Sequence, residues 1–420
     1  MISKMFSLIS RHRVVAVYLF SLLWLATTVF VFTLAEGRAF ANFWKIIGLV
    51  VGVGLVYALA WSAIGGFFGR KISFNFKEPA LLRRERHGVL VILVVLYGLV
   101  VFIHFYSLGT IPVIEAAFGS SDLAVSIIRQ DAYFDLPWWM RYASDYSLKA
   151  LGPGLLLLTY YFRSRLFWVV LALGFIYSVG LFARILPLVL FLPLLVYQLL
   201  SRRWIQCVGM CAVMLVMVFS VSKISSVSTE RGSFASDGKI FTAANEESNK
   251  DSFLVQRSGW ESVSYGLYLR VMVVPAQVME QWFDYYSDAS SLENGCAYRI
   301  LARMIGCEYV HVPSKLYAVY YPDNVRQGMS GSLNSASFMS EYANFGLYGF
   351  FLSSLFGGLF FVGALLVYQG HPLSLPMNMP LIVTLMESNF SHSINSGAGW
   401  LLMTSLYLYF VLFDPDVRRH

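Results

Sequence analysis

Most of this 420-residue chain is built from apolar runs long enough to cross a bilayer. Residues 46–68 and 89–103 are almost continuously apolar. A predominantly apolar segment of about 20 residues spans the hydrocarbon core as a helix. A transmembrane β-barrel would instead alternate apolar and polar residues over about ten positions. With 57% hydrophobic and 13% charged residues, the composition also excludes an ordinary soluble domain. The expected fold is all-α: a polytopic helical bundle of about ten transmembrane helices, with spans near 14–35, 46–68, 88–110, 147–162, 166–183, 185–200, 204–222, 336–368, 375–390 and 397–413. The run 336–368 is long for one span and should tilt or begin above the membrane.

One interruption divides these runs. Residues 223–335 are polar, aromatic and rich in arginine, which gives three regions: N-terminal helices (1–222), a large loop (223–335) and C-terminal helices (336–420). The loop opens on a Ser-rich charged stretch and turns apolar and aromatic from Phe253, with helical patterning through 265–286. Loops held by a rigid scaffold commonly carry chemistry, so the functional question centres here.

The net charge of +7 does not indicate nucleic-acid binding, because of where the charges lie. Lys4, Arg11 and Arg13 precede the first span. Arg70, Lys71, Lys77, Arg83, Arg84 and Arg86 follow the second, and Arg163, Arg165, Arg202, Arg203, Arg418 and Arg419 mark later turns. Read by the positive-inside rule, these put both termini in the cytoplasm and the large loop outside it, with the turn 369–372 as the exception. Attraction to anionic lipid headgroups accounts for the same charges.

Cys207 and Cys211 sit at helical spacing in an apolar run and read as packing residues. Cys296 and Cys307 lie in the large loop, in a compartment that permits disulfides. A bridge there would add on the order of 3 kcal/mol; two unpaired thiols is the alternative.

Several residues stand out as chemistry-bearing. Arg184 lies in SVGLFARILPLVLF, where a charge at the membrane centre costs roughly 2.5–3.5 kcal/mol. It should line a wet cavity or snorkel to the surface. Guanidinium groups bind phosphate bidentately, which makes Arg257, Arg270 and Arg326 anion-binding candidates, Arg270 on an apolar segment. Tyr320, Tyr321, Asp323 and Asn324 combine aromatic faces with hydrogen-bonding groups, as sugars require. Glu341 sits near the start of the eighth span, where desolvation should raise its pKa toward that of a general base; the bland alternative is a partner for an arginine. Gly346 and Gly349 read as packing glycines. Asp323 and His392 are further candidate bases. There is no HExxH, Walker or dinucleotide glycine signature, and DxD occurs once, at 414–416 after the last span and away from the large loop, and so no metal or cofactor is expected.

Taken in order, an arginine-containing hairpin (181–186), the loop segment YGLYLRVMVVPAQVMEQWFDYYSD, and GSLNSASFMSEYANFGLYG (331–349) resemble the Wzy-type polymerases of O-antigen and related surface polysaccharides. The resemblance implies an inverting, metal-independent glycosyltransferase of the bacterial inner membrane with a periplasmic active site. Such an enzyme moves a growing glycan from undecaprenyl pyrophosphate to a new lipid-linked repeat unit. Arg184 and Arg270 would hold the pyrophosphate, with Arg257, Arg326, Tyr321 and Asn334 as further substrate contacts. Glu341, Asp323 and His392 are then the candidates for the base, and a chain-length regulator the implied protein partner. Related O-antigen ligases begin this segment with His-Asn/Ser, where the present chain has Asn334 and Ser335; neither is a good base. An O-antigen ligase and a transporter or flippase of lipid-linked oligosaccharide are the alternative readings. A transporter predicts charged or broken helices at the midplane, while here the polar groups gather outside the spans.

Overall fold

The computed structural model describes residues 12–68, 84–118, 136–181, 185–233, 268–326, 331–368, 371–397 and 399–412. Every regular element among them is helical. In chain order they are α1 (Arg13–Ala35), α2 (Ala41–Phe68), α3 (Arg84–Leu108), α4 (Pro112–Phe118), α5 (Trp138–Tyr146), α6 (Gly152–Tyr161), α7 (Leu166–Gly180), α8 (Ile185–Leu200) and α9 (Trp204–Ser233). After the large loop's first part come α10 (Val274–Tyr285), α11 (Arg299–Ile305), α12 (Val312–Tyr320), α13 (Pro322–Arg326), α14 (Ser337–Phe345), α15 (Leu347–Tyr368), α16 (Ser374–Leu385) and α17 (Trp400–Tyr407).

Four helical stretches are long and apolar enough to cross a membrane: Arg13–Ala35, Ala41–Ile64, Glu85–Leu108 and Leu347–Tyr368. Their outward faces are apolar. Leu55 and Leu59 on α2, Val95 and Phe102 on α3 and Phe351 on α15 are each more than half exposed. In water such stripes would be a liability; against lipid they are the solvent-facing surface. The chain is a helical, membrane-embedded protein. Shorter apolar helices of 10–17 residues lie at Leu166–Gly180, Leu186–Leu200, Trp204–Val218 and Ser374–Leu385.

By compactness the chain forms two units, Met1–Lys77 with Tyr268–His420, and Glu78–Leu267. In the second, α6 is the centre: Leu155, Leu156, Leu157 and Leu158 are all fully buried, as expected of a helix that is apolar all round. The same unit holds a buried polar trio. Ser144 Oγ lies 2.5 Å from His104 Nδ1 and 2.7 Å from the Tyr177 hydroxyl, which is itself 2.7 Å from His104. These bonds join α3, α5 and α7 where apolar contact offers no preference over lipid.

The first unit positions the candidate site. α1 ends at Gly37, in the left-handed region at φ +64°, with the Arg38 N–H donating back to the Thr33 carbonyl at 2.9 Å. That closure satisfies the last-turn carbonyls and reverses the chain within a few residues, so α2 runs back beside α1. α15 then packs on α2 through small residues. The Cβ position of Gly52 lies 2.5 Å from Ser354 Oγ, and that of Gly358 lies 2.9 Å from the Tyr57 backbone nitrogen. Neither glycine has room for a side chain, and the two backbones approach closely as a result.

The run 336–368 is not one helix. It breaks at Gly346, at φ +58° and ψ −136°, a conformation that glycine adopts without a Cβ clash. The break separates a short helix, α14, from the spanning helix α15. The run is therefore two helices in sequence, of which Leu347–Tyr368 is the one long and apolar enough to cross a membrane.

Candidate functional site

α14 carries the most distinctive group in the first unit. Ser337, Phe338, Met339, Glu341, Tyr342, Ala343 and Asn344 are all buried on it, and Glu341 is only 7% exposed. The Tyr298 hydroxyl donates to Glu341 Oε1. Oε2 is buried and has no hydrogen-bond partner within bonding geometry among the described residues. Tyr18, from α1, lies against Ser337 and within electrostatic reach of the carboxyl. Burial pushes the Glu341 pKa up to about 7, against the smaller opposing influence of the Tyr298 hydroxyl and, from α15, of Ser353. The arginine partner that a purely structural role would supply is absent among the described residues; a phenol takes its place. Tyr298 is raised in turn, by burial first and then by the carboxylate beside it.

The segment bearing Tyr298 is clipped to the end of α14. Glu293 N–H donates to the Ala343 carbonyl at 2.9 Å and Asn294 N–H to the Asn344 carbonyl at 3.0 Å. These are carbonyls that a helix C-terminus leaves without intrahelical partners. The fully buried Asn344 side chain completes the clip, accepting from Gly295 N–H at 2.9 Å and Ala297 N–H at 3.2 Å. Its amide donates to Ser340 O at 2.9 Å. Cys296 and Cys307 are disulfide-bonded, with Cα atoms 6.0 Å apart, and so hold the turn that presents Tyr298. Replacing both by serine should lower stability by on the order of 3 kcal/mol. It should also loosen Tyr298 from Glu341. Thermal melting with and without reductant checks this: wild type should lose stability on reduction, and the double serine variant should not respond.

A second polar group lies where α2 starts. Asn42 Nδ2 donates to Glu280 Oε2 at 2.7 Å, and Lys45 Nζ donates to Asn42 Oδ1 at 2.9 Å. The ammonium lies over two aromatic faces, 4.8 Å from the Phe283 centroid and 5.5 Å from that of Tyr342, an arrangement that favours a cation. Glu280 is buried, its Oε1 has no hydrogen bond, and burial raises its pKa despite the Asn42 bond. Arg38 and Asp284 form an exposed pair at 3.3 Å. Lys45 thus faces Tyr342 on α14, the helix that carries Glu341.

The remaining candidates lie elsewhere. Asp323 pairs with Arg326 at 3.1 Å on the five-residue α13, both well exposed. Asn334 is exposed. Tyr321 is half-buried, its ring 5.3 Å from that of Tyr317, and Tyr320 donates to the Gln281 carbonyl at 2.8 Å. His392 is half-buried in the turn between α16 and α17, its backbone N–H bonded to Asn389 Oδ1 at 2.7 Å. The Arg270 backbone lies in a π-helical turn, Leu269–Val273, that leads into α10; its side chain lies outside the described residues, as do Arg184 and Arg257. Tyr18, Tyr298, Asn42, Lys45 and Glu280 were not singled out from the sequence. The one signal for them is a lone lysine in NFWKIIGLVVG, followed by glycines at helical spacing.

Among the described residues no group of three or more His, Cys, Asp or Glu is placed to hold a metal ion. Comparison with protein-family models, with curated proteins and with solved structures returned no match.

Proposed function

We propose that this chain is a lipid-linked oligosaccharide polymerase of the Wzy type, an inverting, metal-independent glycosyltransferase in O-antigen or related surface polysaccharide synthesis. It sits in the bacterial inner membrane with about ten spans, both termini cytoplasmic and residues 223–335 on the periplasmic face. The observation that carries the reading is Glu341: a buried carboxyl with its proton affinity near neutrality, at the head of a spanning helix and bonded to a phenol, with no cationic partner among the described residues. A structural carboxylate in a membrane protein is normally neutralised by a partner of opposite charge. A group left to titrate near pH 7 is suited to general-base work.

In the reaction, Glu341 takes the proton of the acceptor sugar hydroxyl as that oxygen attacks the anomeric carbon of the donor. The bond from that carbon to the diphosphate oxygen breaks and its electron pair leaves with the diphosphate. The resemblance assigns the leaving group to Arg184 and Arg270. Tyr298 holds the carboxyl and spreads its charge once ionised. Tyr321, Tyr317 and Asn324 offer aromatic faces and an amide to the sugars.

Deletion in the source bacterium should leave surface glycan carrying a single repeat unit, restored to polymer by a plasmid copy. Normal glycan lengths in a clean deletion strain would remove the reading. Accumulation of free lipid-linked polymer would point to a ligase instead.

A further inference from the structure

The 22 residues of α15 rise about 33 Å, close to the thickness of the hydrocarbon core, so Leu347 lies near its boundary. α11 is hung at that end. Gly295 N–H donates at 2.9 Å to the side chain of Asn344, three residues before Leu347. α11 packs on Gly295, whose Cβ position lies 2.9 Å from Ile305 Cδ1 and 3.7 Å from Leu301 Cβ. With Ala302 buried as well, the helix turns two adjacent columns outward. Ile300 and Met304 form one, 74% and 77% exposed, and Arg299 and Arg303, also exposed, form the other. Arg299 lies over the Tyr309 ring at 5.0 Å. Among the described residues neither arginine is ion-paired with a carboxylate. The first turns of α15 expose Leu347, Tyr348 and Phe351, the start of its lipid-facing stripe.

We infer that α11 is a membrane-seated foot: Ile300 and Met304 enter the acyl boundary beside α15, and Arg299 and Arg303 bind the phosphates of anionic phospholipid headgroups. Charge and position select this occupant together. At the rim of a bilayer an apolar column reaches the acyl boundary while guanidinium groups beside it stay at headgroup level. With Ile305, which is also exposed, the apolar face is three side chains. That is far below the roughly 20–30 residues a side of a stable protein interface. The foot is also built in advance. The Cys296–Cys307 bridge flanks α11, and Gly306, left-handed at φ +81°, ends it, so docking has little left to order. Tyr298, which bonds Glu341, directly precedes the helix, and the seat therefore fixes the depth of that pair at the membrane. The inference owes nothing to the polymerase reading, since it uses only an exposed face and the end of a span.

The test uses the full-length protein in nanodiscs that contain a trace of phosphatidylcholine with a diazirine at the headgroup end of one acyl chain. The host lipid is either phosphatidylcholine or mainly phosphatidylglycerol, and labelled peptides are mapped by mass spectrometry after reduction. Peptides covering 299–305 should be labelled, more strongly in the anionic host, with the first turn of α15 labelled in both as the internal standard. Ile300→Asp with Met304→Asp should cut the α11 label several-fold at an unchanged melting midpoint, because both side chains are exposed. Each basic residue near an anionic surface is worth roughly fivefold in affinity, so Arg299→Gln with Arg303→Gln should remove the preference for the anionic host. Labelling of α15 with none on α11, or equal labelling of the double Asp protein, overturns the proposal. So does an equal α11 label in the two hosts. Cross-linking of α11 to another protein chain in place of lipid would make the face a protein interface and overturn it as well. Labelling as expected in a protein whose deletion leaves glycan lengths normal would keep the foot and remove the polymerase reading alone.

Discussion

Glu341→Gln should abolish polymer while leaving the protein folded and abundant. Glutamine keeps the size of the side chain and an oxygen to accept from Tyr298, so the contact to the disulfide-held turn survives. What is lost is the capacity to take a proton. Positioned general bases contribute about 10²- to 10⁴-fold to rate, and the substitution should reduce chain extension by at least about a hundredfold, read as repeat-unit ladders beside immunoblotted protein. A Glu341→Gln protein that extends chains normally would remove Glu341 from the reaction.

The same residue sets a pH dependence whose sign can be worked out. With its pKa raised from 4.5 to about 7, Glu341 is an ionised, competent base above neutrality and is silenced by protonation as pH falls below it. Activity should therefore rise through pH 7. Stability runs the other way. Between the unfolded and folded values the native state binds more protons than the unfolded state, so stability declines as pH rises through that window. At pH 8 the buried carboxylate costs on the order of 3 kcal/mol, which the Gln variant avoids. Glu341→Gln should melt higher than wild type at pH 8 and equal to it at pH 4. A stability gain coupled to lost activity is what a group held for chemistry rather than for packing should show.

How much of this was legible in the sequence follows the distance over which each contact is made. The spanning runs are local patterns, and α1, α2, α3 and α15 lie where the apolar periodicity puts them. Glu341 could be singled out because a carboxylate on an apolar helix is conspicuous by itself, and its burial was expected on the same ground. The reading of Gly349 as a packing residue holds; Gly346 instead serves its backbone, ending a helix at φ +58° with only Leu292 near its Cβ position. The Cys296–Cys307 bridge was one of two open alternatives and is formed. Lys45 was illegible because its meaning comes from elsewhere. A lysine near the end of a span reads as snorkelling until Glu280 and Phe283, more than two hundred residues on, are brought to its side. Asn42 and Glu280 are 238 positions apart. Tyr298 reaches Glu341 across 43 residues through a turn that no periodicity announces.

Gly349 should be the least replaceable residue of the site that does no chemistry itself. A Cβ built there falls on the Glu341 carbonyl and against the Tyr342 backbone nitrogen. These are backbone atoms that cannot rotate aside, so even one methyl group must push α14 away from α15. Overpacking of this kind costs about 1–3 kcal/mol. Here it also displaces the carboxyl from Ser353, one helical turn further along α15. Gly349→Ala should lower the melting midpoint and shorten glycan chains together, and Gly349→Leu should abolish both fold and function. Gly363, on the same helix, has nothing within 4 Å of its Cβ position; alanine there should be neutral or slightly stabilising, because a helical glycine costs about 1 kcal/mol relative to alanine. The two alanine variants differ only in what faces them. If they melt alike, α14 does not press on α15 as described, and the burial that lifts the Glu341 pKa loses its structural basis.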